Sequence, residues 1–354
     1  MITPLSSKAL KNLSVDNLRV LIVYYSEKIN LNDLKLVNSF RTLGLNTDVL
    51  FTHNTDKYKP TFFERITHKI GYPYDRYNIN TRLINWVENH NINVIFVIKG
   101  IMLFPKTLKL LNAKNIKLVS WSNDDMFAKH SRSKYYDKGL KYYDLVVTQK
   151  SYNCNPCELP SLGARRILFQ NKAYDKFLHY PCTKDESYLS HDVVFIGTGE
   201  KERLDSLNYL AENGITVNIY GWGNKLKSNN PNLLFHNKHL YGEEFRCAIT
   251  NSKICLNFLR KVNRDLQTSR SVEIPACGGF MLAERTTEHL NLFKEGLEAE
   301  YFESDEELLF KVQKYLSNES IRRQIALNAL KKCEGGGFSF EDRIREIFDN
   351  LHLS

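Results

Sequence analysis

Residues 262–286 read VNRDLQTSRSVEIPACGGFMLAERT, and their order of residue types decides the fold. A carboxylate (Asp265), a hydroxyl (Thr268), a guanidinium (Arg270) and a second carboxylate (Glu273) fall within nine positions. An apolar turn with two glycines, Pro275-Ala276-Cys277-Gly278-Gly279, then leads into a strand at Phe280-Met281-Leu282. The spacing predicts a helix around 268–276 with Glu273 in its body, Arg270 one turn from it and Asp265 in the loop just before. Such a helix start, at the carboxyl ends of parallel strands, suits an anionic ligand. Taken alone, the same residues also fit a capped helix with solvated charges.

Working outward, short apolar runs alternate with helical segments on both sides. Toward the N-terminus, 18–25 (LRVLIVYY), 47–52 (TDVLFT), 93–99 (NVIFVIK), 117–121 (KLVSW), 144–148 (DLVVT) and 166–169 (RILF) read as strands. Between them, 31–43 carries Leu31, Leu34, Val37 and Leu43 near helical spacing and stops at Gly44; 79–89 reads as a helix, and Pro105 opens another. This alternation predicts an α/β fold with a parallel sheet and excludes a sandwich. Residues 171–190 lose the pattern and read as a linker, after which it restarts with DVVFIGTG at 192–199. Further strands are expected at 253–258, 279–283 and 299–302, helices at 305–316 and 318–333, and an amphipathic helix at 338–351 after Gly335-Gly336-Gly337.

A chain of 354 residues is long for one core, so two domains are expected: 1–180, 181–337, and a C-terminal helix in 338–354. No apolar run reaches the length of a membrane span, and 1–17 has no apolar signal-peptide core, so a cytoplasmic protein is expected. Seven cysteines, an odd number, fit reduced thiols better than a disulfide framework. Residues 1–180 carry 27 Lys+Arg against 14 Asp+Glu, while 181–354 carry 22 against 26. The basic first half should attract an anionic partner or a membrane surface; a Lys-rich solvated face accounts for the same count. The aromatic, basic insert at 53–77 is either an acceptor-side or membrane-facing surface, or a helix packed on the sheet by Phe62, Phe63 and Ile66; the packed helix is the favoured reading.

Phe195-Ile196-Gly197-Thr198-Gly199 ends a strand and precedes a charged helix start at Glu200–Arg203. Glycine lets the backbone approach a phosphate, whose oxygens take the free N–H groups. The third glycine of a dinucleotide fingerprint would fall on Glu202, which disfavours a nicotinamide dehydrogenase. A second glycine turn with Gly221 follows the next strand. The strand at 117–121 ends in SNDDMFAKH, 122–130, and polar residues there point into the ligand crevice of an α/β domain. Helix capping by Asn123 or Asp124 also explains them. Cys154-x2-Cys157 and His179-x2-Cys182 have zinc-ligand residue types, but Pro156 splits the first pair and a strand would run between the halves, so no zinc is expected. Asp124 and Asp125 are adjacent, unlike a metal–diphosphate D-x-D pair, and no metal is expected.

The opening stretch resembles the second half of retaining GT-B glycosyltransferases, in which two acids with seven residues between them bracket a donor sugar and a nucleotide ribose. It is most similar to the CgeB-like (spore-maturation-protein-like) branch, with the pattern D-x2-T-x-R-x2-E-x-P-A-C-G-G-F met by Asp265, Thr268, Arg270, Glu273, Pro275, Ala276, Cys277, Gly278, Gly279 and Phe280. The first acid is Asp where the wider superfamily has Glu. A W-x-x-D-D element resembling that branch occurs at Trp121–Asp125.

The resemblance implies two Rossmann-like domains facing across a cleft, a nucleotide-diphosphate sugar as donor, no metal or other cofactor, and transfer with retention. It implies that Glu273 accepts from ribose hydroxyls, that Asp265 faces the sugar, and that Thr268 and Arg270 hold phosphates or sugar. Gly197 and Thr198 would approach the diphosphate, with Gly221 in the same donor-binding set and Arg203, then Lys201, as neutralising cations. Asp124, Asp125 or His130 would orient an acceptor. The charge balance favours an anionic acceptor, such as a phosphorylated glycan or lipid-linked saccharide, with possible peripheral membrane contact; nucleic acid is least supported, since no recognition motif for it appears. A GT-B nucleotide-sugar epimerase and a catalytically silent binding protein are the rival readings.

Overall fold

The computed structural model describes residues 18–24, 31–53, 59–185, 187–223 and 226–351, with 31–34 described by backbone only. The leader at 1–17, residues 54–58 of the insert, Tyr25 and Asn224 lie outside the described residues. The chain divides into two compact units: residues 1–171 with 340–354, and residues 172–339.

In the first unit, β1 (Arg19–Tyr24), β2 (Asn46–Phe51), β3 (Val94–Ile98), β4 (Lys117–Ser122), β5 (Leu145–Thr148) and β6 (Ile167–Phe169) form one parallel sheet in the order β2-β1-β3-β4-β5-β6. Strands such as RVLIVY and VIFVI are apolar at nearly every position because both faces are covered. Alternate residues therefore serve separate cores. Val20, Ile22, Phe96, Val119 and Val147 point to one side, onto α1 (Leu31–Thr42) through Val37 and Phe40. Leu21, Val23, Ile95, Val97 and Val146 point to the other. There they meet α3 (Ile79–Asn89) and α4 (Pro105–Asn112), with Tyr136 of α5 (Lys134–Gly139).

Between β2 and α3 runs α2 (Phe62–Lys69). The favoured expectation that Phe62, Phe63 and Ile66 pack on the sheet is overturned: all three are exposed. The cause is local. A capping box, in which the Thr61 hydroxyl accepts from Glu64 N–H while the Glu64 carboxylate accepts from Thr61 N–H at 2.8 Å, turns Glu64 inward and the apolar side outward.

The second unit holds β7 (Val193–Ile196), β8 (Val217–Tyr220), β9 (Leu233–Phe235), β10 (Ile254–Asn257), β11 (Met281–Glu284) and β12 (Glu300–Phe302), parallel in the order β12-β11-β10-β7-β8-β9. This is the dinucleotide-fold order, which reverses direction between β7 and β10. One face is covered by α6 (Lys201–Glu212), α10 (Asp305–Ser317) and α11 (Glu319–Glu334) through Leu207, Leu308, Val312 and Ile325. The other carries α7 (Gly242–Thr250) and α8 (Arg270–Ala276), through Ala248, Ile249, Val272 and Ile274. The short α9 (Thr287–Leu292) follows β11.

The division falls after Asn171, where the sequence suggested 180/181, because the segment that follows bonds to the second sheet's elements. Lys172 N–H donates to Gln267 and Tyr174 N–H to the Phe338 carbonyl. Farther on, Cys182 N–H donates to Thr250 Oγ1. The last helix, α12 (Phe340–Leu351), belongs to the first unit. It buries Ile344, Ile347 and Phe348 beside Phe40, and the Ser39 hydroxyl donates to Glu341 at 2.8 Å.

Candidate functional site

In a doubly wound sheet the loops leaving the two strands at the order reversal open a crevice at their carboxyl ends. In the second unit these are the loops after β7 and β10, which contain the Gly197 turn and the Asp265–Glu273 stretch. Gly197 N–H donates to the Tyr220 carbonyl and Gly199 N–H to that of Trp222, each at 2.9 Å, which lays the first glycine turn along the second. Gly221 has φ +71°, a conformation glycine takes without strain. A Cβ on Gly199 would stand 2.7 Å from Trp222 Cε2, so the close approach requires glycine there.

Arg203 is buried under this turn. Its Nη1–H donates to the Thr198 carbonyl at 2.8 Å, and Nε and Nη2 donate to the Leu259 and Phe258 carbonyls at 3.2 Å each. Burial lowers its pKa, partly offset by Glu200. The side chain thus ties the β7 loop to the β10 loop. Lys201 lies on the exposed side of α6, paired with Asp205. The cations exposed at this place are instead Arg260, whose Nε is 2.8 Å from Glu200 Oε1, and Lys261, paired with Glu284. They sit just past the end of β10, where charge spacing alone does not single them out.

The loop before α8 is held by one continuous polar chain. His289 Nδ1–H donates to the Glu284 carbonyl at 2.6 Å, which leaves Nε2 to accept from the Ser271 hydroxyl at 2.7 Å. Ser271 Oγ in turn accepts from Thr268 N–H at 2.9 Å and from Asn257 Nδ2 at 3.1 Å, and Thr268 Oγ1 donates to Asn257 Oδ1 at 2.9 Å. Burial pushes the His289 pKa down, keeping the ring neutral as this pattern requires. Thr268 is therefore built into the frame of the turn. Asp265 is buried just ahead of it, its N–H donating to the Arg260 carbonyl at 3.2 Å, directly after Arg264 with φ +49°.

Glu273 lies in the body of α8, buried, and Arg270 one turn away bonds its Oε2. Arg270 also donates through Nε to the Ile196 carbonyl at 3.1 Å and lies 4.4 Å over the Phe245 ring. The other carboxylate oxygen faces His179, with Nε2 at 3.5 Å. Asp175 N–H donates to His179 Nδ1 at 3.0 Å, so the ring's proton is on Nε2, directed at Glu273. Sequence reading singled out His179 only as a zinc-type residue; its distance along the chain hid the contact.

The remaining candidates are in the first unit. Asp125 is fully buried and accepts on Oδ1 from Phe127 N–H at 3.1 Å, Ala128 N–H at 3.3 Å and Asn153 Nδ2 at 2.9 Å. It is the residue that caps this turn, in the place expected of Asn123 or Asp124. Asp124 forms an ion pair with Lys99 at 2.6 Å, and His130 is exposed farther along the loop.

Cys154 and Cys157 fall in the first unit, His179 and Cys182 in the second. Among the described residues no group of three or more His, Cys, Asp or Glu side chains is placed to hold a metal ion. The expectation of reduced thiols is corrected for one pair: Cys182 and Cys247 form a disulfide, their Cα atoms 4.9 Å apart, because the 172–190 segment runs along α7. No helix among the described residues is long and apolar enough to cross a membrane.

Residues 201–349 match the model of a glycosyl transferase-like family. No curated protein matches the chain. Among solved structures, the chain is similar to a sucrose-phosphate synthase from Thermosynechococcus elongatus, at 10% identity over 95% of this chain and 99% of that one, with a TM-score of 0.65. A glycosyltransferase from Rickettsia africae gives 10% identity, 95% and 99% coverage and a TM-score of 0.63. Anabaena Alr3699/HepE, solved in complex with UDP-glucose, gives 11% identity, 94% and 99% coverage and a TM-score of 0.61. At such identities the likeness shows the fold, two Rossmann-like domains of the GT-B type.

Proposed function

We propose that the chain is a glycosyltransferase of the CgeB-like kind that moves a sugar from a nucleotide-diphosphate sugar to an anionic acceptor, with retention and without a metal. The observation that carries this reading is the fixed Glu273 carboxylate at the order reversal of the second sheet. Arg270 holds one of its oxygens, His179 faces the other, and the Gly197 turn is bonded to the same helix start through the Ile196 carbonyl. The family match over 201–349 supports it, as does the fold shared with Anabaena Alr3699/HepE, solved in complex with UDP-glucose.

In this reading Glu273 accepts from the ribose hydroxyls and Asp265 faces the donor sugar. Negative charge builds on the leaving diphosphate as the glycosidic bond breaks, and preorganised donors there lower the barrier. The start of α6, which no side chain caps, supplies N–H groups, and the Gly197–Gly199 turn lets the backbone come close. Arg260 and Lys261 supply the charge, exchanging Glu200 and Glu284 for phosphate oxygens. Arg203 acts behind them by holding the two loops together, and Arg270 fixes Glu273. The leaving phosphate itself serves as base toward the acceptor hydroxyl. Asp124 and His130 orient the acceptor.

A thermal-shift screen against UDP-, GDP-, CMP-, ADP- and dTDP-sugars, with and without EDTA, tests the donor site, since a ligand of the native state raises the melting temperature. One base class should raise it equally in both conditions. A shift abolished by EDTA removes the metal-free mechanism, and no shift from any of them removes the donor assignment. Release of free, epimerised sugar without acceptor would favour the epimerase.

A further inference from the structure

The first unit carries an apolar face that no element among the described residues covers. On α2 and the turn after it, Phe62 is 75% exposed, Phe63 57%, Ile66 42% and Ile70 56%. These positions share one side of a short helix. Tyr74 continues the face, its ring 5.3 Å from that of Phe63.

Among the described residues, the exposed charges around it are basic. Lys59, Arg65 and Lys69 are exposed on the same segment. Lys134 N–H donates to the Gly71 carbonyl at 2.7 Å, and the Lys134 and Lys138 ammonium groups lie 4.9 and 5.8 Å over the Tyr72 ring. Lys106 adds another cation beside Phe104. The acids among the described residues here are turned inward or already engaged: Glu64 is buried in the capping box and 3.5 Å from Arg76, and Asp75 accepts from the Ile79 and Asn80 N–H groups at the start of α3.

We infer that α2 is an interfacial anchor that docks the first unit on a bilayer of anionic phospholipid. Exposed aromatic and aliphatic side chains enter the boundary between headgroups and acyl chains while the basic rim meets the lipid phosphates; neither signal alone holds a protein there. A second copy of the chain is a poor occupant, because an isologous contact would bring two basic rims, each with Arg65 and Lys69, together. A pocket of about 520 Å³ opens beside the helix, lined by Thr67, Tyr72, Tyr74, Lys106 and Tyr135. Docking therefore brings this cavity to the lipid surface. Only that last consequence, delivery of a lipid-linked acceptor, rests on the proposed function.

The test is co-sedimentation of the full chain, without nucleotide sugar, with vesicles of phosphatidylcholine alone or mixed with phosphatidylglycerol. Binding should be at least about tenfold stronger to the anionic vesicles and fall with added salt. Phe62→Ser with Phe63→Ser should reduce it about tenfold or more at an unchanged melting temperature, the side chains being exposed. Lys134→Gln with Lys138→Gln should weaken binding to anionic vesicles and leave the residual binding to neutral ones as it was. Equal binding to both vesicle types, or no effect of the phenylalanine pair, overturns the proposal. So does a concentration-dependent dimer in sedimentation velocity that the phenylalanine pair abolishes, which would make the face a self-association surface. Because no sugar donor is present, failure here leaves the donor-site screen unaffected.

Discussion

His179 Nε2 lies 3.5 Å from Oε1 of Glu273, and its proton is directed there because Asp175 N–H occupies Nδ1. Arg270 takes the other carboxylate oxygen. Donors from two separate segments therefore fix a buried acid before any ligand arrives. Preorganisation of this kind reduces the ordering cost of binding.

Glu273→Ala should abolish nucleotide binding with the fold intact. Arg270 keeps its bond to the Ile196 carbonyl and its place over Phe245, and it is not fully buried, so losing the pair does not strand a buried charge. Circular dichroism and thermal shift with each nucleotide sugar check this. Unchanged affinity for all of them would refute the site.

His179→Ala should weaken nucleotide binding about tenfold, the equivalent of about 1.4 kcal/mol. His179→Gln, which returns a donor toward Glu273, should restore part of it. Titration calorimetry on the three proteins separates positioning from packing: a purely structural role predicts lost stability in both variants with no recovery of affinity in the second.

Arg203→Lys distinguishes a tether from a diphosphate ligand. Lysine keeps the charge but cannot span the Thr198, Leu259 and Phe258 carbonyls as the planar guanidinium does. Hydrogen bonds to a charged group contribute about 1.5–3 kcal/mol each, and the variant should lose at least about 2 kcal/mol by urea denaturation. Retained stability with reduced donor affinity would return Arg203 to the role of direct phosphate cation.

These residues show what one sequence exposes. The strands were legible because covered parallel strands are continuously apolar, and 262–286 because its contacts are local: Arg270 and Glu273 are one helical turn apart. What depends on tertiary distance was not. His179 reaches Glu273, and Cys182 reaches Cys247, only through the path of the 172–190 segment. Arg203 carried the right charge in the right loop, and only its burial shows that backbone carbonyls use it. The α2 face failed for another reason: Phe62, Phe63 and Ile66 are the pattern of a packed helix, and which side a helix turns inward depends on its cap and neighbours. The edge strand β9, Leu233–Phe235, was not read from the sequence.

Gly199→Ala should be costly although glycine to alanine is usually mild. The new Cβ would stand 2.7 Å from Trp222 Cε2 and 2.9 Å from its Nε1. The indole is buried and its Nε1–H donates to the Leu226 carbonyl, so it cannot simply swing away. Overpacking of this kind costs about 1–3 kcal/mol, measurable by urea denaturation. Gly214→Ala, with open space around it, bears only the penalty of its positive φ and serves as the comparison.

Stability should fall as pH drops below about 6.5, because His289 is buried neutral. Burial holds its pKa below the ordinary value, against the opposing pull of Glu284 and Glu288. The unfolded chain therefore takes up the proton first. Between the folded value and about 6.5 it binds more protons than the native state, so stability rises with pH there and is complete above it. His191 and His236 are shifted the same way, also by burial. Protonating His289 would convert Nε2 from acceptor to donor against Ser271 and break the chain that holds Thr268 and Asn257. The carboxylates with lowered pKa, such as Glu295 and Glu307, act in a separate window, below their ordinary value of 4.5. Calorimetric melting between about pH 8 and pH 5 should thus show a decline owed to histidines. His289→Asn should start less stable and decline less steeply; curves parallel to the parent's would show that His289 is not the group that titrates.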